Sequence, residues 1–207
     1  MVIDANRIQE QMNQYFSSML DNLQTACSAN SDYKVYEPAV RLITQSEMAG
    51  GRLHLTGIGK PGHLSEYFAS LFSSTGTPAY FLDGTEAVHG SSGQVRLGDV
   101  VIAISNSGNT SELLYTVRTL KDNGAKIIGV SGNAYSQLAK LSDVFLHAPV
   151  SEEGGPLNRA PRNSIMVEMC VLQGLSIALQ GIRDITPRDY VRWHPGGALG
   201  KLRQDEK

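Results

Sequence analysis

The stretch that most constrains this chain is residues 97–112, Leu-Gly-Asp-Val-Val-Ile-Ala-Ile-Ser-Asn-Ser-Gly-Asn-Thr-Ser-Glu. Gly98 and Asp99 supply a turn. Val100 to Ile104 is a short unbroken apolar run, the pattern of a strand buried on both faces of a parallel sheet. Ser105 to Thr110 are small, polar or flexible. Leu113, Leu114, Val117 and Leu120 then recur at helical spacing. The segment reads strand, hydroxyl-rich loop, helix. At such a junction backbone N–H groups and the positive end of a helix dipole meet an anion. Ser105, Ser107 and Thr110, with the flexible Gly108, point to a bound phosphate. The competing reading is a capping box with Asn109 at the N-cap and Glu112 at N3, and one loop can serve both purposes.

Strands alternate with helices through the rest of the chain. Residues 3–28 predict an amphipathic helix with Ile8, Met12, Tyr15, Phe16, Met19 and Leu23 on one stripe. That stripe is expected to pack on the body, with a dimer contact as the alternative. Pro38 suits the first turn of a second helix, which Gly50-Gly51 ends. Strands are expected at Leu53–Thr56, Ala79–Leu82, Val100–Ile104, Ala125–Val130 and Val144–Val150, and a last long helix over Ser164–Gln180. Such alternation predicts an α/β fold with a doubly wound, mostly parallel sheet of flavodoxin-like order, its ligands beyond the carboxyl ends of the strands. With no repeat and no linker, residues 1–207 read as one domain, of which 1–50 form a helical N-terminal segment.

Charge argues about partners. Eighteen basic residues face 20 acidic ones, with no Lys/Arg-rich run. A nucleic-acid partner is not expected, because backbone phosphates need a basic face. No apolar stretch approaches the roughly 20 residues of a membrane span. The first residues, with Asp4, Asn6, Arg7 and Gln9, do not read as a signal peptide. Cys27 and Cys170 lack partners at metal-ligand spacing and read as isolated, reduced thiols of a cytoplasmic protein.

Several motifs carry chemistry. Gly57-x-Gly59-x-x-Gly62 follows a strand and opens a helix, and Asp83 stands 21 residues after Gly62, as in a dinucleotide fingerprint. Lys60 and Pro61 weaken that match, and loop 105–110 is the better phosphate cradle. Lys60 can pair with a phosphate or a developing oxyanion, or be a plain surface lysine. His89 and His194 lie in glycine-flanked loops and can shuttle protons near neutral pH, whereas His54, His63 and His147 lie in or beside regular elements. Glu112 and Glu153 fall beyond the carboxyl ends of strands, where a general base belongs. No metal-ligand spacing, nucleophile elbow or Cys/His pair is present.

Taken in order, Gly57-Ile58-Gly59-Lys60-x-Gly62, Ser73-Ser74-Thr75-Gly76-Thr77-Pro78, Glu86-Ala87-x-His89-Gly90, Ser105-x-Ser107-Gly108-x-Thr110-x-Glu112, Pro156-Leu157-x-x-Ala160-Pro161 and His194-Pro195-Gly196-Gly197-Ala198-Leu199-Gly200 resemble the sugar isomerase (SIS) domain of arabinose-5-phosphate isomerases. The resemblance runs from about residue 35 to Leu202, and the His-Pro-Gly-Gly-Ala-Leu-Gly tail is its most specific part. It implies a three-layer α/β/α sandwich that interconverts an aldose phosphate and a ketose phosphate through an enediolate, with neither cofactor nor metal. Carried over, the catalytic set is Lys60, His89, Glu112, Glu153 and His194. The phosphate is expected on Ser105, Ser107, Gly108 and Thr110, with Ser74 and Thr75. Arabinose 5-phosphate and ribulose 5-phosphate are the default pair. The family usually assembles homotetramers in which a neighbouring subunit contributes a site histidine. Its members usually continue into paired CBS domains; the sequence stops at Lys207, so regulation through them is not expected. Asn109, Pro61, Ser91-Ser92, Gly154-Gly155, Arg159 and Arg162-Asn163 depart from the family pattern around the crevice. The alternative function is a sugar-phosphate sensor without catalysis. Such regulators normally carry a DNA-binding helix-turn-helix ahead of the domain, and the segment before the first strand is short and not basic.

Overall fold

Five short strands, the central β1 and β3 buried along their whole length, organise the chain, and the computed structural model describes them within residues 3–206. They are β1 (Leu53–Gly57), β2 (Ala79–Phe81), β3 (Val100–Ile104), β4 (Lys126–Ser131) and β5 (Val144–His147). All pair in parallel, in the order β2-β1-β3-β4-β5. The expected sheet and its flavodoxin-like order are both present. β1 and β3 pair from Leu53↔Val100 to Gly57↔Ile104, so their carboxyl ends finish side by side. At that point the chain leaves in opposite directions across the sheet, which opens a crevice between the two following loops.

Side chains alternate between two cores. Leu53, Leu55, Ile102, Ile104, Ile128 and Val130 face one layer, built from α2 (Tyr33–Met48), α3 (Lys60–Ser74) and α6 (Asn163–Gly181). Helix α1 (Ala5–Ala29) packs outside α6. Val101, Ala103 and Ile127 face the other layer, built from α4 (Ser111–Asp122) and α5 (Gln137–Leu141). This is the three-layer α/β/α sandwich.

Four sequence expectations change. Helix α2 starts at Tyr33, because the Asp32 side chain accepts the Lys34 N–H; Pro38 is therefore interior, on the exposed face, where water can satisfy the carbonyl it leaves unpaired. The region after α6 holds a further helix, α7 (Pro187–Trp193), closed by a Thr186/Asp189 capping box. Helix α6 is long and apolar enough to cross a membrane by length and composition, contrary to the reading of the sequence. It is instead a core helix, with Val167, Val171, Leu172 and Leu175 fully buried under the sheet. Cys27 and Cys170, read as isolated thiols, meet across the α1–α6 contact with their sulfurs 3.4 Å apart.

The N-terminal stripe divides. Tyr15, Met19 and Leu23 are half-buried against the body, while Ile8, Met12, Phe16 and Leu20 remain exposed. At the amino edge of the sheet Asp99 accepts four hydrogen bonds, from the backbone N–H groups of Arg52 and Arg96, the Arg52 guanidinium and the His54 ring. Burial pushes its carboxyl up, and the bonds from Arg96 and Arg52 with the Arg52 charge outweigh it, so the carboxyl lies below the ordinary range. His54 is thereby a structural residue at the edge away from the crevice.

Candidate active site

The crevice is bounded by the turns after β1 and β3 and by loop 151–162. The first turn explains its own glycines. A Cβ on Gly57 would meet the Pro61 backbone at 2.7 Å, one on Gly62 would meet the Gly57 carbonyl at 2.9 Å, and Gly59 has φ +68°. The Gly-x-Gly-x-x-Gly spacing thus serves a close crossing of β1 and α3. Asp83, the ribose-binding candidate of the dinucleotide reading, spends one oxygen on the N–H groups of Thr85 and Glu86. The fingerprint is a steric one here.

The loop after β3 is folded on itself. The Ser105 hydroxyl is buried, lies 3.1 Å from the Thr110 hydroxyl and accepts the Gly108 N–H. Gly108 has φ +62°, and a Cβ there would strike the Ser136 side chain, so only glycine lets the loop lie flat on the start of α5. The Asn109 side chain accepts the Gln137 N–H and donates to Ser107 O. Asn109 is therefore not the N-cap. Thr110 is, and its side chain makes no capping bond. Glu112 stands second in α4, and the expected capping box is not formed. Helix α4 starts at the crevice with the Ser107 and Thr110 hydroxyls beside it, the chemistry of an anion site.

Opposite stands Glu153. Its Oε1 accepts the Asn106 side-chain amide at 3.2 Å, and its Oε2 accepts the N–H groups of Arg162 and Ser164 at 2.8 and 3.1 Å. Asn158, in the left-handed region at φ +46°, accepts the Glu153 and Gly154 N–H groups and shapes the loop. Glu153, Ser164, Ser105, Ser107 and Thr110 line one cavity of about 250 Å³.

The remaining candidates lie at different distances from this cavity. Lys60 is the exposed first residue of α3, next to Pro61, which lines the cavity. Glu112 is exposed at the start of α4; the Ser111 hydroxyl donates to it at 2.8 Å, and with its own backbone N–H keeps its carboxyl below the ordinary range. His89 is exposed at the end of a single 3₁₀ turn, Glu86–His89, that packs on α4. Ser74 and Thr75 are not brought to the site. Their hydroxyls return to carbonyls of the last turn of α3, at the opposite edge of the sheet, because a helix after a parallel strand runs back to the amino edge. His194 is absent from the cavity as well. It caps α7, its ring stacked 3.9 Å from Tyr190 and its Nδ1 bonded to Tyr190 O. A Cβ on Gly76 would touch Ile185 and Trp193, which ties this tail to the end of α3.

One polar residue escaped the sequence reading. Glu168 has no exposed surface, and neither of its carboxyl oxygens has a partner among the described residues. Burial, then the nearby Glu153 charge, push it up to about 8. The available signal was a lone acid within the apolar 163–181 helix.

The chain is similar to known proteins in sequence and in fold. Over 151 residues the chain is 42% identical to arabinose 5-phosphate isomerase KdsD of Pseudomonas aeruginosa, covering 73% of this chain and 46% of that protein. It is 37% identical to arabinose 5-phosphate isomerase KpsF of Escherichia coli over 185 residues, 89% of this chain and 54% of that one. The chain thus spans about half the length of the curated relatives it matches. The structure of Escherichia coli CFT073 c3406 in complex with A5P superposes with a TM-score of 0.77 at 34% identity, over 93% of this chain and all of that one. The SIS domain model matches residues 49–178, from the end of α2 through most of α6, and by that match the chain belongs to the SIS domain family.

Proposed function

We propose that this chain is an aldose–ketose sugar-phosphate isomerase acting on D-arabinose 5-phosphate and D-ribulose 5-phosphate. The observation that carries the reading is the pairing, across one cavity, of an anion-binding helix start with the Glu153 carboxylate held by three N–H donors. The phosphate sits on Ser105, Ser107, Thr110 and the N–H groups opening α4, with Gly108 giving the close approach. Glu153 takes the proton from the carbon beside the carbonyl and returns it to the neighbouring carbon. A fixed base of this kind contributes about 10²–10⁴ in rate. The enediolate oxygens are met by Lys60, and proton movement between them falls to His89, with Glu112 on the rim. No cofactor or metal enters this scheme. The names of the curated relatives and the A5P complex of c3406 support the substrate class.

In this reading residues 1–207 form one SIS unit with 1–50 as its helical N-terminal segment. The protein works as a homo-oligomer, a tetramer as in the family, and His194 completes the site of a neighbouring copy. The exposed Ile8–Met12–Phe16–Leu20 row supports an interface on α1. The reaction belongs to the cytoplasm, where sugar phosphates are confined by their charge.

The test is NMR of the protein with a panel of aldose and ketose 5- and 6-phosphates in D₂O. Ketose formation with deuterium on the carbon beside the carbonyl is expected for arabinose 5-phosphate. Binding without conversion or exchange across the panel overturns the enzyme reading in favour of a sensor.

A further inference from the structure

Helix α6 carries a single acid, on its buried stripe. Glu168 lies one turn beyond Ser164, so the two share a face. The Ser164 N–H donates to Glu153 Oε2, Ser164 lines the cavity, and its hydroxyl, like both Glu168 oxygens, is buried and unpartnered. One face of α6 thus runs from the cavity wall to Glu168. Helices α1, α2 and α3 pack around α6. Their titratable groups include Asp21, Cys27, Tyr36, Lys60, His63, Glu66 and Tyr67, and among the described residues Glu153 is the charge that raises the Glu168 carboxyl.

Two carboxyls that feel each other do not both ionise cheaply. Hydrogen-bond donors decide which one keeps the charge. Glu153 has three and Glu168 has none, so the charge goes to Glu153 and the proton to Glu168. Resting on the isomerase reading, we infer that Glu168 is a positioning residue: held as a neutral acid behind Glu153, it keeps one carboxylate charge at the site, so that a phosphorylated sugar can enter and Glu153 can serve as base. Its upward displacement to about 8 follows from burial and the Glu153 charge. Once Glu168 ionises, its charge opposes the anionic substrate and the enediolate formed from it.

The experiment compares the full chain with Glu168→Gln, which holds a neutral side chain of the same shape at every pH. For the unaltered chain kcat/KM for arabinose 5-phosphate should fall about tenfold between pH 7 and pH 9, as expected for one ionisation midway. In Glu168→Gln that fall is lost, whatever the starting level. The same alkaline fall in both proteins overturns the inference. A second readout needs neither turnover nor the variant. The infrared band of a protonated carboxyl should persist at pH 7 and vanish by pH 10 in the unaltered chain, and a missing band at pH 7 overturns the inference too. A chain that converts no sugar phosphate counts against the isomerase reading alone. The infrared band and the affinity for inorganic phosphate at pH 7 and pH 9 then decide the role of Glu168.

Discussion

Asn106 and Glu153, 47 residues apart, are joined across the crevice by a 3.2 Å hydrogen bond from the Asn106 amide to Oε1. The bond ties the proposed phosphate loop to the proposed base, so one piece of structure sets the position of both. Asn106→Ala removes that donor and leaves the two backbone N–H groups on Oε2. A charge-assisted bond of this kind is worth about 1.5–3 kcal/mol, so kcat/KM should fall about tenfold or more. Glu153→Gln should lose about 10²–10⁴ in turnover while retaining sugar-phosphate binding. Steady-state kinetics with calorimetric binding checks both, and full turnover in Glu153→Gln would remove Glu153 from the base role.

The hydroxyls of loop 105–110 should govern affinity rather than chemistry. Ser105→Ala with Ser107→Ala deletes two hydroxyls from the phosphate cradle, and the buried Ser105 also braces Thr110 and Gly108. Binding of sugar phosphates should weaken by about 2–3 kcal/mol, some 30–150-fold. Isothermal titration with arabinose 5-phosphate measures it, and unaltered affinity would sink the loop assignment.

The sheet was legible in the sequence because parallel strands buried on both faces read as unbroken apolar runs, as Val100–Ile104 does. The loop after β3 was legible as a strand-to-helix junction beside the crevice because its small polar residues sit between such a run and a helical pattern. Ser74 and Thr75 misled for a physical reason: a hydroxyl beside a glycine looks the same where a helix ends as where one begins, and only the direction of α3 separates the two edges of the sheet. His194 shows the complementary limit, since a family motif does not say where the fold puts it, and here the ring caps α7 away from the cavity. Glu168 was hidden because an acid among apolar residues at helical spacing reads as a solvated position unless the burial of that face is known. The Asn109 capping box failed because the Asn109 side chain bonds to the start of α5, a contact 28 residues away.

The exposed row on α1 offers a test of the proposed assembly. Ile8, Met12, Phe16 and Leu20 repeat every four residues and are each about half exposed or more. A charge at the middle of such a row opposes burial without touching the core. Phe16→Asp should therefore give a smaller species in sedimentation while the circular dichroism spectrum is unchanged. If the unaltered chain already sediments as a monomer, the row is not a homo-oligomer interface.

The Cys27–Cys170 pair should respond to oxidants. Their sulfurs, 3.4 Å apart, need little movement to reach the bond length of about 2.05 Å. Burial and the neighbouring Cys27 push the Cys170 thiol up to about 11, so the exposed Cys27 attacks first. With diamide taking the two electrons and two protons, the disulfide would join α1 to α6 across 143 residues. Free thiols should fall from two to none, and stability should rise by ~2–4 kcal/mol, reversed by dithiothreitol and absent in Cys27→Ser. Two thiols still titratable after diamide would show that the helices hold the sulfurs apart.

Glu168 gives the last prediction, which concerns stability rather than rate. In the folded chain its carboxyl is pushed up to about 8, against an ordinary value of 4.5 when unfolded. Between those pH values the folded state holds a proton that the unfolded state has released. The stabilising effect is fully present below about 4.5 and is lost as pH rises through about 8. From pH 5 to pH 8 the difference amounts to on the order of 3 kcal/mol. Glu168→Gln removes this slope, because an amide does not titrate. Its absolute stability depends on how its buried amide is accommodated, so the slope is the quantity to measure. Urea denaturation at pH 5, 6, 7 and 8 should show the unaltered chain losing stability relative to Glu168→Gln as the pH rises. Parallel curves would mean that Glu168 is ionised in the folded protein, with a counter-charge or water stabilising it beneath the site.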